Sequence, residues 1–236
     1  MAKGTGTIRA HPFILLLLLL LLSLLVSGCA SPADQPANLA SREASSANTP
    51  MVAAIRAGEL DRVKSLAADG ASLNTVTEAG TPLMVAVRRQ QDRIAWYLLS
   101  EGANPDLSTG DGETALMVAA GQGSRRLVQL LLSAGAQVNA ADAAGSTPVI
   151  RAAQNGHLSV VKVLLAAGAN VNVSQNGRSL LMHIVDSGDM LTAEMLLAAG
   201  ADVNFRSGQG VTALEVARGN GNRDLEMLLI QAGAEL

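Results

Sequence analysis

The sequence predicts an all-α fold, a solenoid of about six helix-turn-helix repeats with β-hairpin fingers between them. The first observation is repetition: similar segments start 32 or 33 residues apart along the chain. The second is composition, since 49% of the 236 residues are hydrophobic but only 2% are aromatic. A core of Ala, Leu, Val and Ile suits short, closely packed helices better than a large β-sandwich. The repeats start near Thr49, Thr81, Thr114, Thr147, Ser179 and Thr212.

The fourth repeat shows how its residues specify two helices. Thr147 can cap the first helix, and Pro148 suits its first position, where the missing N–H costs nothing. Val149, Ala152 and Ala153 then form an apolar stripe on that helix. A glycine ends the second helix of each repeat, because glycine takes the left-handed conformation without strain. These glycines are Gly70, Gly102, Gly135, Gly168, Gly200 and Gly233.

A second recurring residue follows most of these glycines. Asn74, Asn139, Asn172 and Asn204 each come four residues after the glycine that ends a repeat. Asparagine favours turns because its side chain bonds to nearby backbone groups. We expect these residues to shape the turn that leads into the next finger.

The period and the internal pattern of segments such as TPLMVAVRRQ and TPVIRAAQNG resemble the ankyrin repeat, over residues 49–236. That resemblance implies partner binding through a concave surface of finger tips and first-helix side chains. The chain departs from the family in the slot that usually holds a histidine linking neighbouring repeats. Apolar packing is expected to replace those bonds, with the methionines in the core and not in a copper site. The slot holds Val52, Met84, Met117, Ile150, Met182 and Glu215.

Two residues of the second repeat break the pattern. Gln90 stands where other repeats have the glycine that ends the first helix. It either takes a mildly strained left-handed conformation or marks a longer helix. Trp96 occupies a second-helix position that usually faces solvent, so it either packs on a neighbouring helix or marks a second contact surface.

Residues 1–28 have the features of a signal peptide. Lys3 and Arg9 precede an apolar run of about 14 residues, which is shorter than the roughly 20 that cross a bilayer. Val26-Ser27-Gly28-Cys29 resembles the bacterial lipobox, which implies lipidation of Cys29 and cleavage before it. Ala30 after the cysteine, by the same resemblance, favours the outer membrane. The alternative is an ordinary signal peptide beside a buried structural cysteine.

Residues 29–48 are predicted to form a flexible tether, because they are rich in Ala, Ser and Pro and have no helical or strand period. Cys29 is the only cysteine, which excludes an internal disulfide. Cleavage after residue 28 removes two of the 17 basic side chains and none of the 20 acidic ones, changing the formal charge from −3 to −5. This charge gives no reason to expect nucleic acid as a partner.

The motifs of catalysis are not found in the sequence. It has no phosphate-binding loop, nucleophile elbow or zinc-protease helix. His157 lies in the Gly-His position common to ankyrin repeats and is expected to be structural. No histidine pair has metal-ligand spacing, so we expect no enzyme activity, no cofactor, no metal and no small-molecule substrate.

Partner-binding residues are predicted from the ankyrin resemblance at finger tips and on the exposed sides of first helices. Four of them, Arg88, Arg89, Arg151 and His183, are expected to give the groove a positive tendency that suits an acidic partner. The full predicted set is Arg88, Arg89, Asp111, Glu113, Gln122, Arg151, Gln154, Asn155, Arg178 and His183.

The sequence therefore favours a membrane-anchored scaffold of the bacterial cell envelope, outer membrane facing the periplasm, that binds a partner protein through the concave groove. Such a scaffold would inhibit or support a periplasmic enzyme. The alternative is a structural envelope protein that spaces or organises other components.

Overall fold

The computed structural model describes residues 49–235, which form twelve α-helices and one short β-hairpin. The predicted signal peptide, Cys29 and the tether lie outside the described residues. In the described part of the chain, no helix is both long and apolar enough to cross a membrane. The elements are α1 (Pro50–Ala57), α2 (Leu60–Ala68), α3 (Pro82–Arg88), α4 (Asp92–Ser100), α5 (Ala115–Gly121), α6 (Arg125–Ser133), α7 (Pro148–Gln154), α8 (Leu158–Ala166), β1 (Ser174–Gln175), β2 (Arg178–Ser179), α9 (Leu180–Ser187), α10 (Met190–Ala198), α11 (Ala213–Gly219) and α12 (Arg223–Gln231).

The helices form two rows, as the repeat pattern predicts. The inner row consists of the odd-numbered helices, each packed on the next one, and the outer row consists of the even-numbered helices. Inner helices contact each other more extensively than outer helices do. Leucines from the outer row, such as Leu98, Leu131 and Leu164, are completely buried between the rows. One continuous core therefore runs through all six repeats.

Each inner helix begins at the predicted Thr or Ser cap. The Thr81 hydroxyl accepts a hydrogen bond from the Met84 amide at 3.1 Å, and the other five caps repeat this contact. The residue that follows the cap by three is the slot where the family pattern has histidine. Met84, Met117 and Met182 are at most 1% exposed there, which confirms the predicted core packing. In the last repeat the slot holds Glu215, whose carboxylate accepts from the Thr212 amide at 2.8 Å and completes a capping box.

The recurring asparagines connect neighbouring repeats, a role beyond the local turn predicted from their position. The Asn172 side-chain oxygen accepts a hydrogen bond from the Asp202 amide at 2.8 Å, and its amide group donates to the Gly200 carbonyl at 3.0 Å. Bonds from a backbone amide to a side-chain oxygen of the preceding repeat link every successive pair of repeats, and the last of them has the Glu235 amide as its donor. We call this set the asparagine ladder; its members are Asn74, Asp106, Asn139, Asn172 and Asn204.

Two further contacts cross between repeats. The His157 ring nitrogen Nε2 lies 3.1 Å from the Gly121 carbonyl oxygen, so this histidine has the predicted structural role. A Cβ at Gly123 would lie 2.5 Å from the His157 ring, so the ring approaches the third repeat closely. Glycine at this position therefore makes room for the histidine of the next repeat.

The predicted fingers differ in how much β-structure they form. Between the fourth and fifth repeats, β1 and β2 pair antiparallel around Asn176 and Gly177, which both have positive φ angles (51° and 73°). Asn-Gly suits this tight hairpin turn. Fingers nearer the N-terminus have isolated bridges, Thr77 with Gly80 and Ser108 with Thr114.

The structure decides between the two interpretations of Gln90. Helix α3 ends at Arg88, and Gln90 has a φ of 55°, so it takes the left-handed conformation in place of glycine. The helix is not lengthened. A glutamine is accommodated there at some conformational cost.

We expect the asparagine ladder to contribute measurably to stability. Asn172→Ala removes two bonds to the fifth repeat and should lower the free energy of unfolding by about 1–3 kcal/mol. Asn172→Asp keeps the acceptor oxygen but loses the donor group, which Asp106 also lacks. Its free energy of unfolding should lie between those of the unaltered protein and the alanine variant. Urea unfolding of the three proteins tests the ladder. Equal stability of the alanine variant and the unaltered protein would contradict it.

Candidate partner-binding face

The fingers and the exposed sides of the inner helices form one surface. Each finger leads directly into the cap of the next inner helix, so side chains from the two elements meet. Arg88 on α3 donates to the Ala79 carbonyl of its own finger at 2.8 Å. Gln154 on α7 donates to the Gln175 side chain of the following finger at 2.9 Å. We call this surface the finger face.

A four-residue ionic network occupies its centre. One Glu113 carboxylate oxygen lies 2.6 Å from the Arg151 guanidinium, and the other lies 3.0 Å from that of Arg88. Arg151 also contacts the Asp142 carboxylate at 2.8 Å. Residues from the second, third and fourth repeats are thereby joined across more than 60 positions of sequence.

Burial and hydrogen bonding shape the electrostatics of this network. Burial acts to raise the pKa of Asp142, but hydrogen bonds from Arg151 and from the Ser146 and Ala144 amides outweigh it, so the pKa lies below its ordinary value. Burial acts to lower the pKa of Arg151, and its bonds to Asp142 and Glu113 raise it instead. The side chain of Arg151 is 27% exposed and that of Arg88 43% exposed. The network is thus charged, half-open to solvent and held in a fixed geometry.

A second polar cluster lies toward the C-terminal end of the finger face. Asp186 on α9 contacts the Arg178 guanidinium of its finger at 3.2 Å and accepts a bond from the Asn220 amide group at 3.1 Å. The Asn220 bond is the largest reason that the pKa of Asp186 lies below its ordinary value. Next to this pair, a cleft of about 430 Å³ separates the fifth and sixth repeats, with Met182 and Val216 in its lining.

The arginines expected to make the groove positive are largely compensated, which corrects that expectation. Arg88 and Arg151 share the Glu113 carboxylate, and Arg151 has Asp142 besides. Half-burial of His183 and the nearby Arg178 charge lower the pKa of that imidazole, which favours its uncharged form. Among residues 49–235, no carboxylate lies within ion-pair distance of Arg89, which is exposed just after α3. The finger face therefore carries mixed charge with one uncompensated arginine.

The remaining predicted residues lie on or beside the finger face with different roles. Gln122 donates to the Arg88 carbonyl at 2.9 Å, and Asn155 donates to the Arg151 carbonyl at 3.0 Å, so both brace helix ends. Asp111 is exposed, and its carbonyl accepts from the Ala143 amide of the next finger at 2.8 Å. A Cβ on the neighbouring Gly112 would lie 3.0 Å from the backbone of that finger. Adjacent fingers are thus packed against each other.

Two members of these clusters were missed from the sequence, Asp142 and Asn220. Asp142 starts a finger turn, where its carboxylate accepts bonds from the Ala144 and Ser146 amides. Thr109 and Ser207 hold the same turn position in other fingers, with hydroxyls that accept similar bonds. A recurring polar residue before the cap was therefore the available signal, but it indicates a turn and does not reveal the contact with Arg151. In the described part of the chain, no cluster of His, Cys, Asp and Glu has the arrangement of a metal site.

Comparisons with known proteins agree with this architecture. Residues 18–109 and 98–175 match the family model for ankyrin repeats in three copies, and residues 176–208 match the model for a single ankyrin repeat. Among solved structures, the ankyrin repeat domain of Bcl-3, a member of the IkappaB protein family, is similar with a TM-score of 0.70 and 28% sequence identity. That similarity covers 80% of this chain and 88% of the Bcl-3 chain. No curated protein matches the sequence.

The network makes a prediction about pH. Because the pKa of Asp142 is lowered on folding, its contribution is present above the ordinary carboxyl value of 3.8 and is lost as pH falls through the folded value. Asp142→Asn should lower the free energy of unfolding by about 1–3 kcal/mol at neutral pH. Urea unfolding should show a smaller difference between the two proteins at about pH 3. A difference that stays constant over that range would contradict the assignment.

Proposed function

The chain belongs to the ankyrin-repeat family of protein-binding scaffolds, and on that premise we propose that it holds a partner protein on the finger face. The ionic network of Arg88, Glu113, Arg151 and Asp142 is the observation that carries this proposal. Its groups are positioned before any partner arrives, so little side-chain entropy is lost on binding. A flat array of freely moving surface charges would not offer this advantage.

The partner should match a pattern of charges and not a single sign of charge. Arg89 offers donors to a carboxylate, while the exposed Asp111 and Asp186 offer acceptors to basic or amide groups. Gln154 adds hydrogen-bonding capacity between them. Complementary placement of this kind gives specificity more than long-range attraction, so binding should weaken only moderately as salt rises.

A double variant tests the finger face without disturbing the network. Arg89→Ala with Gln154→Ala changes two exposed residues and leaves all four members of the network in place. We expect at least about tenfold weaker binding of the partner, equivalent to about 1.4 kcal/mol, and an unchanged helical circular dichroism spectrum. Arg223→Ala, on the exposed side of α12, is the matched control and should bind normally.

Affinity capture from bacterial membranes provides the measurement. The unaltered protein and the Arg223→Ala control should retain the same protein at the same stoichiometry, and the double variant should lose it. Retention by all three would contradict the proposed contacts of Arg89 and Gln154 with the partner. It would then favour the alternative of a structural envelope protein that spaces other components.

We further propose that the scaffold is anchored in the bacterial cell envelope by lipid on Cys29. The support is the sequence pattern: a basic start, a short apolar run and Val26-Ser27-Gly28-Cys29. Two or three acyl chains would bind a membrane stably, since each buried methylene contributes about 0.8 kcal/mol. Ala30 favours the outer membrane, facing the periplasm, where the partner would be an enzyme that the scaffold inhibits or supports.

Substitution of the cysteine tests the anchor. Cys29→Ser should leave an uncleaved precursor, because the lipoprotein-specific peptidase acts after the cysteine has been modified. Labelling with radioactive palmitate should mark the unaltered protein and not the variant. Normal cleavage of Cys29→Ser, with release of a soluble product, would show that the segment is an ordinary signal peptide.

A further inference from the structure

Trp96 is the only tryptophan in the chain, and it lies on the outer row, away from the finger face. Trp96 is 60% exposed, which favours a second contact surface over packing on a neighbouring helix, the two interpretations that the sequence left open. It is the fifth residue of α4. The fifth residues of the other outer helices are mostly polar: Lys64, Gln129, Lys162, Glu194 and Met227.

An isolated exposed apolar residue needs no explanation, but this one borders a cavity. A cleft of about 480 Å³ runs across α2, α4 and α6, which belong to the first three repeats. Leu60, Trp96, Tyr97 and Leu130 supply its apolar lining. Its volume accommodates a bulky side chain and the backbone next to it.

The rim of the cleft is positively charged, although the whole chain is acidic. Lys64, Arg93 and Arg126 line the cleft, whereas Asp92 is its only acidic residue among those the structure describes. Asp92 contacts Arg126 at 3.2 Å, and the Arg126 side chain remains 83% exposed. In residues 49–235, no carboxylate lies within ion-pair distance of Lys64 or Arg93. The Lys64 ammonium instead lies 5.8 Å from the centre of the Tyr97 ring.

We propose that this cleft is a second docking site, which binds a partner segment with an aromatic or aliphatic side chain flanked by carboxylates. The apolar side chain packs against Trp96 and Leu130, and the carboxylates meet Lys64 and Arg93. Tryptophan and arginine are the residue types that contribute most at protein interfaces. A site on the outer row leaves the finger face free, so the scaffold holds two protein segments at once on opposite rows of helices.

The experiment uses a library of random displayed peptides, panned on the full-length protein. The selected peptides should share an apolar residue next to Asp or Glu. The strongest peptide is then titrated while the emission of Trp96 is followed, because this residue is the only tryptophan and reports from the site itself. We expect the emission to shift as the peptide covers the indole ring.

Matched variants test whether the peptide binds in the cleft. Lys64→Gln with Arg93→Gln retains Trp96 and should weaken the peptide at least about tenfold, because two carboxylates lose their partners. Arg223→Gln on α12 and Arg89→Ala on the finger face are controls that should change the affinity of the peptide less than about twofold. The second control separates this site from the proposed function, since the two can fail independently.

Three results would overturn the proposal. The first is that panning selects no acidic-apolar sequence, and the second is that the selected peptide leaves the Trp96 emission unchanged. The third is that the Lys64 and Arg93 variant binds the peptide as tightly as the unaltered protein does. Vesicles of phosphatidylglycerol provide a further comparison. If they shift the emission while the peptide does not, the cleft is a membrane contact and not a protein docking site.

Discussion

The hydrogen bond from one repeat's backbone to the ladder residue of the repeat before it is the contact on which the rest of the structure depends. A single pair of helices of seven to nine residues cannot bury its apolar face alone. Apolar packing between repeats supplies most of the stabilisation, but it is non-directional. The asparagine ladder adds direction: the amides of Asn170 and Asp202 each reach the preceding ladder side chain at 2.8 Å. This contact therefore sets the register in which one repeat lies against the next.

The finger face follows from that register. Glu113, at the end of the second repeat, contacts Arg88 of its own repeat and Arg151 of the fourth. Asp186 bonds to Asn220 of the next repeat. The contacts of Glu113 with Arg151 and of Asp186 with Asn220 cross between repeats, so the geometry of the face is a property of the stack. The ladder runs along the turns and the ionic network along the fingers. Both sets of contacts hold neighbouring repeats at the same distance, so a polar surface is kept rigid although it is exposed.

The repetitive part of the fold could be predicted from the sequence because the start and the end of each repeat are marked by residues within that repeat. The Thr and Ser caps and the glycines follow from local rules that apply six times. The slot of Met84, Met117 and Met182 is buried in the first five repeats, whereas Glu215 is exposed in the sixth. Gln90 was left with two interpretations, since a glutamine in a glycine position is compatible with either backbone. The structure selects the left-handed one.

Charge on the finger face was harder to predict, for a physical reason. The period places Arg88 and Arg151 on inner helices, but it does not show that one Glu113 carboxylate lies between them. Ion pairs depend on distances between residues far apart in sequence, whereas caps depend on neighbours. The contact of Asp142 with Arg151 could not be predicted for the same reason, because the position of Asp142 in the sequence indicates only a turn. Trp96 stood out by its residue type, but only the structure reveals the cleft beside it.

Native-state hydrogen exchange at the ladder amides tests the account most directly. The amides of Asn104, Gln137, Asn170 and Asp202 lie outside the helices, in exposed residues, and each donates to the preceding repeat. If the ladder sets the register, these amides should exchange as slowly as the helical amides of the adjoining repeats. Exchange at the rate of ordinary exposed loops would mean that the repeats are held together by apolar packing alone.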